Sequence, residues 1–198
     1  MKNISVKQIT KAIKILQQGG VIVFPTETTY GLAVDATNHK AANKIMKIKK
    51  RPLSSPFPLI VASFKMAEAY VEFSPLMRKL ARQYWPGPLT IITKARKGTN
   101  LTKLACRSDG TIALRVSSHP LAKKLSQELL GPIISTSANL SGQPECYSIA
   151  AVHRQLDTQL LQPDYYLDEG ALPRRKPSTI IKEVDGQIEI VRQGSIRL

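Results

Sequence analysis

The sequence predicts an α/β sandwich in which helices flank a mixed, twisted β-sheet. Apolar residues at helical spacing alternate along the chain with short β-type runs, and this interleaving is typical of α/β folds. With 42% hydrophobic residues among 198, the chain can bury a core of its own. It has no run of about 18 apolar residues, the length that spans a bilayer, so no membrane segment is expected. Residues 1–198 are therefore predicted to form a single domain.

The first elements are marked by a capping residue, glycines and a proline. Ser5 is a favourable N-cap for a helix that Gly19-Gly20 would end. Val21–Phe24 follows as a short apolar strand that leads to a proline. A second helix is predicted over about His39–Lys50, because Pro52 disfavours helical geometry in the residue before it.

Serines and helix-breaking residues divide the middle of the chain. Ser63 and Ser74 are suitable N-caps, the second with a proline at the first helical position. Trp85–Pro88 must form a turn, because three of its four residues disfavour regular structure. The strands predicted in this part are Leu59–Ala62, Leu89–Thr93 and Ile112–Val116.

The last third is expected to contain a helix, a polar loop and a hairpin. Pro120–Leu130 is predicted as a helix ended by the following glycine, and Ser148 as the cap of another helix. Ile133-Ile134 begins a strand that leads into a polar loop over Ser135–Gly142. The hairpin consists of Thr179–Lys182 and Ile188–Val191, closed by Asp185-Gly186 as a favoured two-residue turn.

Composition restricts the classes of function. The net charge of +15 suits anionic partners such as nucleotides or RNA, and it also suits a simple solubility role. Cys106 and Cys146 show no metal-type spacing and imply no disulfide framework, so a reducing cytoplasm is expected. His39, His119 and His153 lack metal-site spacing, and no protein-held metal is predicted. The chain has no P-loop, dinucleotide fingerprint or nucleophile elbow.

Four segments carry side chains suited to chemistry, and each also has a purely structural interpretation. Pro25–Leu32 follows a strand, where open α/β sheets bind ligands, but it could be a tight turn. Lys49–Pro52 either caps a helix dipole or points several donors at an anion. Ser135–Gly142 offers hydroxyls and N–H groups to a phosphate or carboxylate, or is a polar surface turn. The tail supplies Arg174–Thr179 and Arg192–Gly194.

The order of these segments along the chain and their amino-acid sequences, taken together, indicate a family more specifically than any single segment does. They read P-T-E-T-T-Y-G-L, K-K-R-P with P-F-P-L-I-V after it, W-P-G-P-L-T, I-A-L-R-V, S-T-S-A-N-L-S-G and P-S-T-I-I. Together they closely resemble the YrdC-like family of threonylcarbamoyl-AMP synthases, over roughly Gly20 to Gly194. The K-x-R and S-x-N pairs that mark the family are Lys49/Arg51 and Ser137/Asn139 here.

The resemblance implies a twisted open sheet around a deep, basic cavity, and a specific reaction. Members of the family are L-threonylcarbamoyladenylate synthases, which form threonylcarbamoyl-AMP and pyrophosphate from L-threonine, bicarbonate and ATP. A partner transferase complex then modifies an adenosine beside the anticodon of tRNA. Mg²⁺ is expected on the ATP phosphates, held mainly by phosphate and water. Since every substrate is anionic or carries an anionic group, cations and hydroxyls suit the reaction without a protein nucleophile.

The resemblance also assigns residues to the substrates. Lys49 and Arg51 would form the catalytic cationic clamp. Because both are expected at a surface helix end, their replacement by alanine should leave the fold intact. The residues expected around threonine are Thr28, Arg115, Ser135 and Ser178. Those expected around ATP, together with the clamp, are Thr111, Ser137, Asn139 and Arg192. Tyr30 is expected to shape the pocket between the two substrates. The assignment of Arg115 to an anionic ligand also has a reason independent of the resemblance, because a strand arginine among apolar neighbours needs an anionic partner if it is buried.

Two departures from the family pattern and two alternatives stay open. Long members carry a second C-terminal domain, whereas this chain stops at Leu198 and resembles the short, single-domain type. Long members also have a histidine near threonine where this chain has Ala62-Ser63. The alternatives are a YrdC-like paralogue that binds RNA or ribosomes without adenylate synthesis, and a carbamoyl-transfer domain of hydrogenase maturation. Direct binding of tRNA or double-stranded RNA, and closure of Arg174–Lys176 over the product, are further expectations from composition.

Overall fold

The computed structural model describes residues 2–52 and 55–198. Helices form where the sequence places caps and apolar spacing, and strands form in the apolar runs between them. The helices in the described residues are α1 Val6–Gln17, α2 His39–Lys49, α3 Phe64–Tyr70, α4 Pro75–Tyr84, α5 Pro120–Glu128 and α6 Ile149–Leu156, with a 3₁₀-helix at Lys103–Ala105. The strands are β1 Ile22–Pro25, β2 Tyr30–Asp35, β3 Leu59–Ile60, β4 Leu89–Lys94, β5 Thr111–Arg115, β6 Ile133–Ser137, β7 Tyr165–Tyr166, β8 Thr179–Val184 and β9 Gln187–Arg192.

These strands form one mixed sheet in the order β7-β1-β2-β6-β3-β5-β4-β8-β9. The pairs β1–β7, β3–β5 and β4–β8 are parallel, and the other five neighbouring pairs are antiparallel. Because β3 and β6 are antiparallel neighbours in the centre, the residues that follow Ile134 lie beside those that precede β3, and the Ser135 N–H donates to the Pro58 carbonyl oxygen. The predicted mixed α/β sheet is confirmed.

The predicted helix caps are also confirmed. Ser5 forms a capping box with Gln8, in which each side chain bonds the backbone of the other residue. Ser63, Ser74 and Ser148 each accept a hydrogen bond from the backbone N–H three residues further on. Such caps satisfy donors that have no partner inside the helix, which fixes where each helix begins.

Residues with positive φ end the helix α5 and form the turn of the β8–β9 hairpin. α5 is shorter than predicted, because Leu130 adopts a positive φ of 56° and ends the helix before Gly131. In the β8–β9 hairpin, Asp185 and Gly186 have φ values of 50° and 76°, as a two-residue type I′ turn demands.

The strands β2 and β7 were not predicted, and β6 is longer than predicted. β2 occupies Tyr30–Asp35 and so begins inside the segment Pro25–Leu32, which the sequence suggested as a ligand loop or tight turn. The predicted polar loop Ser135–Gly142 begins as strand, because β6 continues to Ser137 and pairs with β2 through Ser135, Thr136 and Ser137. Hydroxyl side chains on one face of a strand do not prevent its backbone from completing a ladder between two neighbours.

The sheet buries different sets of side chains on its two faces. One face packs Leu32, Leu59 and Leu114 against α2, α3 and α6. The opposite face packs Phe24 and Ile133 against α1 and α5, which cover only part of it. Since side chains alternate along a strand, the uncovered part of this second face is where polar side chains can point into an open space. No helix in the described residues is long and apolar enough to cross a membrane.

Candidate active site

A cavity of about 220 Å³ lies over the uncovered part of the second sheet face. The register explains its position, because Gly31 lies beside Ser137, and Thr90 and Ala113 lie on the same face in neighbouring strands. Glycine at position 31 leaves room, since a Cβ there would lie 3.1 Å from the Phe24 ring and 3.3 Å from the Thr136 carbonyl oxygen. The lining residues are Thr26, Thr28, Thr29, Gly31, Arg51, Pro56, Pro58, Thr90, Arg107, Ala113, Arg115, Ser135, Thr136, Ser137, Glu145, Pro177, Ser178, Ile180 and Arg192.

The cavity brings together most of the residues that the sequence assigned to substrates. They come from the β1–β2 connection, the end of α2, β5, β6, the start of β8 and β9, so segments far apart in sequence converge. Seven of the eleven assigned residues line it: Thr28, Arg51, Arg115, Ser135, Ser137, Ser178 and Arg192. Their contacts with particular substrates remain predictions.

Arg115 and Glu27 form an ion pair at one end of the cavity. The two side chains are 11% and 7% exposed, and Arg115 Nη1 donates to Glu27 Oε1. The second carboxylate oxygen of Glu27 accepts from the Ser117 hydroxyl. Burial, and then the charge of Arg192, lower the pKa of Arg115 to about 10, so the guanidinium stays charged at neutral pH. One nitrogen of the fork is thus held by Glu27, and the rest of the fork remains for a carboxylate or phosphate.

Arg192 fixes the start of β8 beside Arg115. Its Nε and Nη2 donate to the Ser178 carbonyl oxygen at 3.1 and 2.8 Å, and Nη2 also donates to the Ser178 hydroxyl at 3.0 Å. Thr90 donates to the same hydroxyl at 2.9 Å. Burial lowers the pKa of Arg192. These bonds hold two predicted ligand residues from the tail in one place before a substrate is present.

Arg51 is oriented by backbone carbonyls and by a ring. Its Nε donates to the Ser55 carbonyl oxygen at 2.8 Å and Nη2 to the Pro56 carbonyl oxygen at 3.1 Å. The guanidinium lies 5.0 Å from the centre of the Phe57 ring. Burial lowers the pKa of Arg51. As expected, the end of α2 directs a cation toward the site.

Lys49 does not lie at the surface, which corrects the expectation that its replacement would leave the fold intact. It is 2% exposed, and its Nζ donates to the Ser137 carbonyl oxygen, to the Asn139 carbonyl oxygen at 2.6 Å and to Asn139 Oδ1 at 3.1 Å. Burial, and then the charge of Arg51, lower the pKa of Lys49 to about 7, while the three oxygen acceptors favour the ammonium form. The lysine–arginine helix end and the serine–asparagine loop therefore meet through this side chain.

Asn139 and Lys49 lie behind the cavity surface. The Asn139 side chain is buried, and its Nδ2 donates to the Gln143 carbonyl oxygen at 2.5 Å. The sequence could not distinguish a residue that touches a ligand from one that holds the backbone carrying such a residue, because both require the same spacing.

Tyr30 points away from the cavity, because it precedes Gly31 on β2 and alternation places it on the opposite face. It is fully buried in the core, where its hydroxyl donates to the Gly170 carbonyl oxygen at 2.7 Å and accepts from the Glu169 N–H at 2.9 Å. Burial raises its pKa to about 12. The Tyr30 side chain therefore does not line the cavity, which corrects the expectation that it shapes the pocket between the substrates.

Thr111 lies on the same sheet face as Ala113 and Arg115, at the outer end of β5. Its hydroxyl donates to Asp109 Oδ1 at 2.6 Å, and it is not among the cavity-lining residues.

Several residues in or beside the cavity were missed by sequence reasoning. Glu27 lies inside the P-T-E-T motif, so its presence in the motif was the signal that could have identified it as the partner of Arg115. Thr26 closes the same turn by accepting from the Thr28 and Thr29 N–H groups. Arg107 and Glu145 had no signal, because they lie in irregular segments that only the tertiary fold brings to the cavity.

Of two other expected regions, Ala62-Ser63 lies at a separate cavity and the tail reaches the first cavity only in part. Ala62 and Ser63 line a second cavity of about 310 Å³ with Arg82, Trp85 and Lys123, among others. In the tail, the Arg174 guanidinium lies 5.9 Å from the centre of the Tyr147 ring, and Pro177-Ser178 continues into the first cavity. No cluster of three or more metal-ligating side chains was found in the part of the chain that the structure describes.

Comparison with known proteins identifies relatives over nearly the whole chain. A family model named Sua5/YciO/YrdC and described as "Telomere recombination" matches residues 14–194. The threonylcarbamoyl-AMP synthase of Pseudoalteromonas translucida is 38% identical over 183 residues, which cover 91% of this chain and 95% of that protein. The threonylcarbamoyl-AMP synthase of Coxiella burnetii is 37% identical over 185 residues, with 92% and 96% coverage.

Solved structures share the fold. P. abyssi Sua5 complexed with L-threonine superposes with a TM-score of 0.88 at 29% identity, over 98% of this chain and 56% of that one. This chain thus spans about half the length of that Sua5 protein. E. coli YciO superposes with a TM-score of 0.85 at 29% identity, over 98% of this chain and 92% of that one. From the family model, the sequence relatives and the shared fold, we conclude that the chain belongs to the Sua5/YciO/YrdC family.

Proposed function

We propose that this protein is an L-threonylcarbamoyladenylate synthase, which makes threonylcarbamoyl-AMP and pyrophosphate from L-threonine, bicarbonate and ATP. The observation that carries the proposal is the convergence of Arg51, Arg115 and Arg192 with serine and threonine hydroxyls in one cavity. Relatives that are 33–38% identical bear the name threonylcarbamoyl-AMP synthase, which supports the same activity.

The chemistry asks the protein to assemble negatively charged reactants. The threonine amine attacks the carbon of bicarbonate, and water leaves to give a carbamate. A carbamate oxygen then attacks the α-phosphorus of ATP, and the bond from that phosphorus to the β-phosphate oxygen breaks, which releases pyrophosphate. Neither step requires a nucleophile from the protein, so positioning and charge stabilisation are its contributions.

We assign threonine to the end of the cavity at Arg115. A fork that Glu27 already orients suits the threonine carboxylate, and the hydroxyls of Thr28, Ser135 and Ser178 lie around the same cavity. Glu27 would act as a positioning residue, because it holds the guanidinium without occupying all of its donors.

We assign ATP to the part of the cavity lined by Arg51, Ser137 and Arg192, with Thr111 toward the outer end of β5. Lys49 and Asn139 would act by fixing the backbone that carries Ser137, since Lys49 bonds both residues 137 and 139. In this assignment the two residues of the K-x-R pair have different roles. Arg51 contacts phosphate, and Lys49 holds the loop and supplies positive charge from behind it.

Mg²⁺ would arrive with ATP and be held mainly by phosphate and water. Among the described lining residues, Glu145 carries the only carboxylate, and its Oε2 accepts from the Tyr147 hydroxyl at 3.1 Å. One carboxylate plus phosphates suits the coordination habits of Mg²⁺, whereas a protein cage would need more acidic ligands. The ion would neutralise charge on the phosphates while the arginines orient them.

We further propose that residues 1–198 act as one domain, that the enzyme works in the cytoplasm, and that a tRNA threonylcarbamoyl-transferase complex consumes its product. The nine-stranded sheet, which draws strands from most of the chain, supports the first point. The instability expected of an acyl phosphate anhydride supports direct handover to a partner. The net charge of +15 would also favour contact with tRNA or double-stranded RNA.

The test is a pyrophosphate-release assay with purified protein, threonine, bicarbonate and Mg-ATP, with the adenylate identified by mass spectrometry. We expect release only when threonine and bicarbonate are both present, and serine or valine in place of threonine provides the control. Threonine-independent release, or none, would favour the RNA- or ribosome-binding paralogue. In that case RNA should bind the protein with the same affinity in the presence and absence of ATP and threonine.

A further inference from the structure

Arg107 is a cavity arginine that the assignments above leave without a role. It lies between the 3₁₀-helix Lys103–Ala105 and β5, and it lines the cavity. Its backbone is fixed, because its N–H donates to the Thr111 carbonyl oxygen at 2.8 Å and its carbonyl oxygen accepts from the Gly110 N–H at 3.0 Å. The side chain is therefore presented from a defined position.

Among the described residues, the Arg107 guanidinium has no hydrogen-bond partner. Its Nε is buried and unsatisfied, whereas Arg51, Arg115 and Arg192 all donate to protein oxygens. A buried N–H that lost water without gaining an acceptor is unfavourable, and most buried donors in proteins are satisfied. The terminal nitrogens of the Arg107 guanidinium likewise donate to no described oxygen, and an anionic ligand in the cavity that this residue lines is an acceptor for them.

Backbone contacts place Arg107 and Arg51 toward the same end of the cavity. The Phe57 N–H donates to the Leu104 carbonyl oxygen at 2.8 Å, which joins the segment beside Arg51 to the segment that leads to Arg107. Arg115 lies at the other end of β5, roughly 13 Å from Thr111 at about 3.3 Å per residue. A triphosphate that meets the carbamate near Arg115 would extend its outer phosphates toward the Arg51–Arg107 end.

We infer that Arg107 binds the β- and γ-phosphates of ATP and holds them as the leaving pyrophosphate. The inference rests on the proposed function for the identity of the nucleotide. Two guanidinium forks that face one anion suit pyrophosphate, because each fork can donate two parallel hydrogen bonds to phosphate oxygens. When the bond between the α-phosphorus and the β-phosphate oxygen breaks, the leaving oxygen gains negative charge, which Arg107 is placed to stabilise.

The experiment compares Arg107→Gln with wild type by calorimetry, using ATP, AMP, inorganic pyrophosphate and threonine as separate probes. We expect ATP and pyrophosphate to bind roughly 10- to 100-fold more weakly, as for a lost charge-assisted contact. AMP and threonine should change less than about twofold, because neither carries the outer phosphates. Arg197→Gln is the matched control, since Arg197 is exposed and the substitution removes the same charge.

Arg107→Lys keeps the charge but loses the fork, and it tests the inference if the glutamine variant does not fold. We expect pyrophosphate affinity between those of wild type and the glutamine variant. Equal weakening of AMP and ATP, or unchanged pyrophosphate binding in both variants, would overturn the inference. A wild-type protein that binds pyrophosphate through Arg107 but makes no threonylcarbamoyl-AMP would instead overturn the proposed function alone.

Discussion

The ion pair of Glu27 and Arg115 shows how single residues prepare the cavity. At 7% and 11% exposure, it is the most deeply buried ion pair between described residues. Water screens such charges weakly, so each group depends on the other for its solvation. By contrast, Lys182 and Glu189 form an ion pair on the β8–β9 hairpin with side chains 39% and 52% exposed.

We predict that Glu27→Gln lowers the free energy of unfolding by roughly 3–5 kcal/mol, because it leaves the buried Arg115 charge unpaired. The matched control is Glu189→Gln, which breaks the exposed pair and should cost about 1 kcal/mol or less. Urea denaturation without substrates measures both. Equal effects of the two substitutions would mean that Glu27 is not required to hold Arg115.

Lys49 gives a prediction for pH. Its pKa of about 7 in the folded protein lies below its ordinary value of 10.5, owing to burial and then to Arg51. Between these two values the unfolded chain binds more protons than the folded chain, so this residue makes stability rise with pH.

We expect wild type to gain stability relative to Lys49→Met as the pH rises from 7 toward 10, by at most about 1.4 kcal/mol per pH unit. Methionine cannot titrate and fills a similar volume, which makes it the reference. Urea titrations at pH 6, 7.5 and 9 provide the measurement. Parallel curves for the two proteins would show that the three oxygen acceptors keep the lysine pKa near its usual value.

At the scale of elements, the β8–β9 hairpin depends on a close backbone approach at its end. A Cβ at Gly194 would lie 2.2 Å from the Pro177 carbonyl oxygen and 2.5 Å from both the Ser178 carbonyl carbon and the Thr179 nitrogen. Those atoms belong to the segment that Arg192 holds beside the cavity. The same glycine therefore serves the packing of the hairpin and the position of Ser178.

We predict that Gly194→Ala destabilises the protein by at least about 1–3 kcal/mol, as overpacking does, and weakens threonine binding through Ser178. Gly131→Ala is the control, because its nearest neighbour, the Tyr70 hydroxyl, would be 3.8 Å from the new Cβ. Thermal unfolding of both variants measures the effect on stability, and calorimetry with threonine measures the effect on binding. A Gly194→Ala protein with normal stability would show that the chain can shift at this point.

The sequence predicted elements well where the signal is local. Serine caps, the proline after α2 and the Asp185-Gly186 turn act within a few residues, and the structure confirms all of them. β2 was missed although one of its partners, β1, is adjacent in the chain, and its other partner β6 lies about 100 residues away, where periodicity cannot report it. The same limit applies to the site. Motifs indicated Lys49 and Tyr30, but only the fold shows that neither side chain lines the cavity.

For the molecule as a whole, charge is distributed between an enclosed site and an open surface. Of the arginines that line the cavity, Arg51, Arg115 and Arg192 donate hydrogen bonds to protein oxygens, whereas most of the 29 lysines and arginines lie outside the cavity. None of the six α-helices within residues 2–52 and 55–198 has an acidic residue in its first turn, so acidic side chains do not offset the surface lysines there. Salt screens exposed charges much more than buried ones.

We therefore predict that salt separates the two kinds of binding. Raising KCl from about 50 to about 200 mM should weaken binding of a tRNA by at least about tenfold, as expected for two or more phosphate contacts. The KM for ATP should change less, because its cations are enclosed. Fluorescence anisotropy measures the affinity for tRNA, and steady-state kinetics measure the KM for ATP. Arg51→Ala should leave tRNA affinity unchanged, and a parallel loss would place the RNA in the cavity.

The bonds that Arg51, Arg115 and Arg192 donate to protein oxygens have a consequence for selectivity. An anion that enters must compete with a carbonyl or carboxylate that already occupies part of each fork. A small ion such as chloride offers one contact in exchange and gains little. Threonine and a triphosphate can each bind several guanidinium groups at once. The protein oxygens that already accept from these arginines therefore favour the binding of multidentate ligands over simple ions.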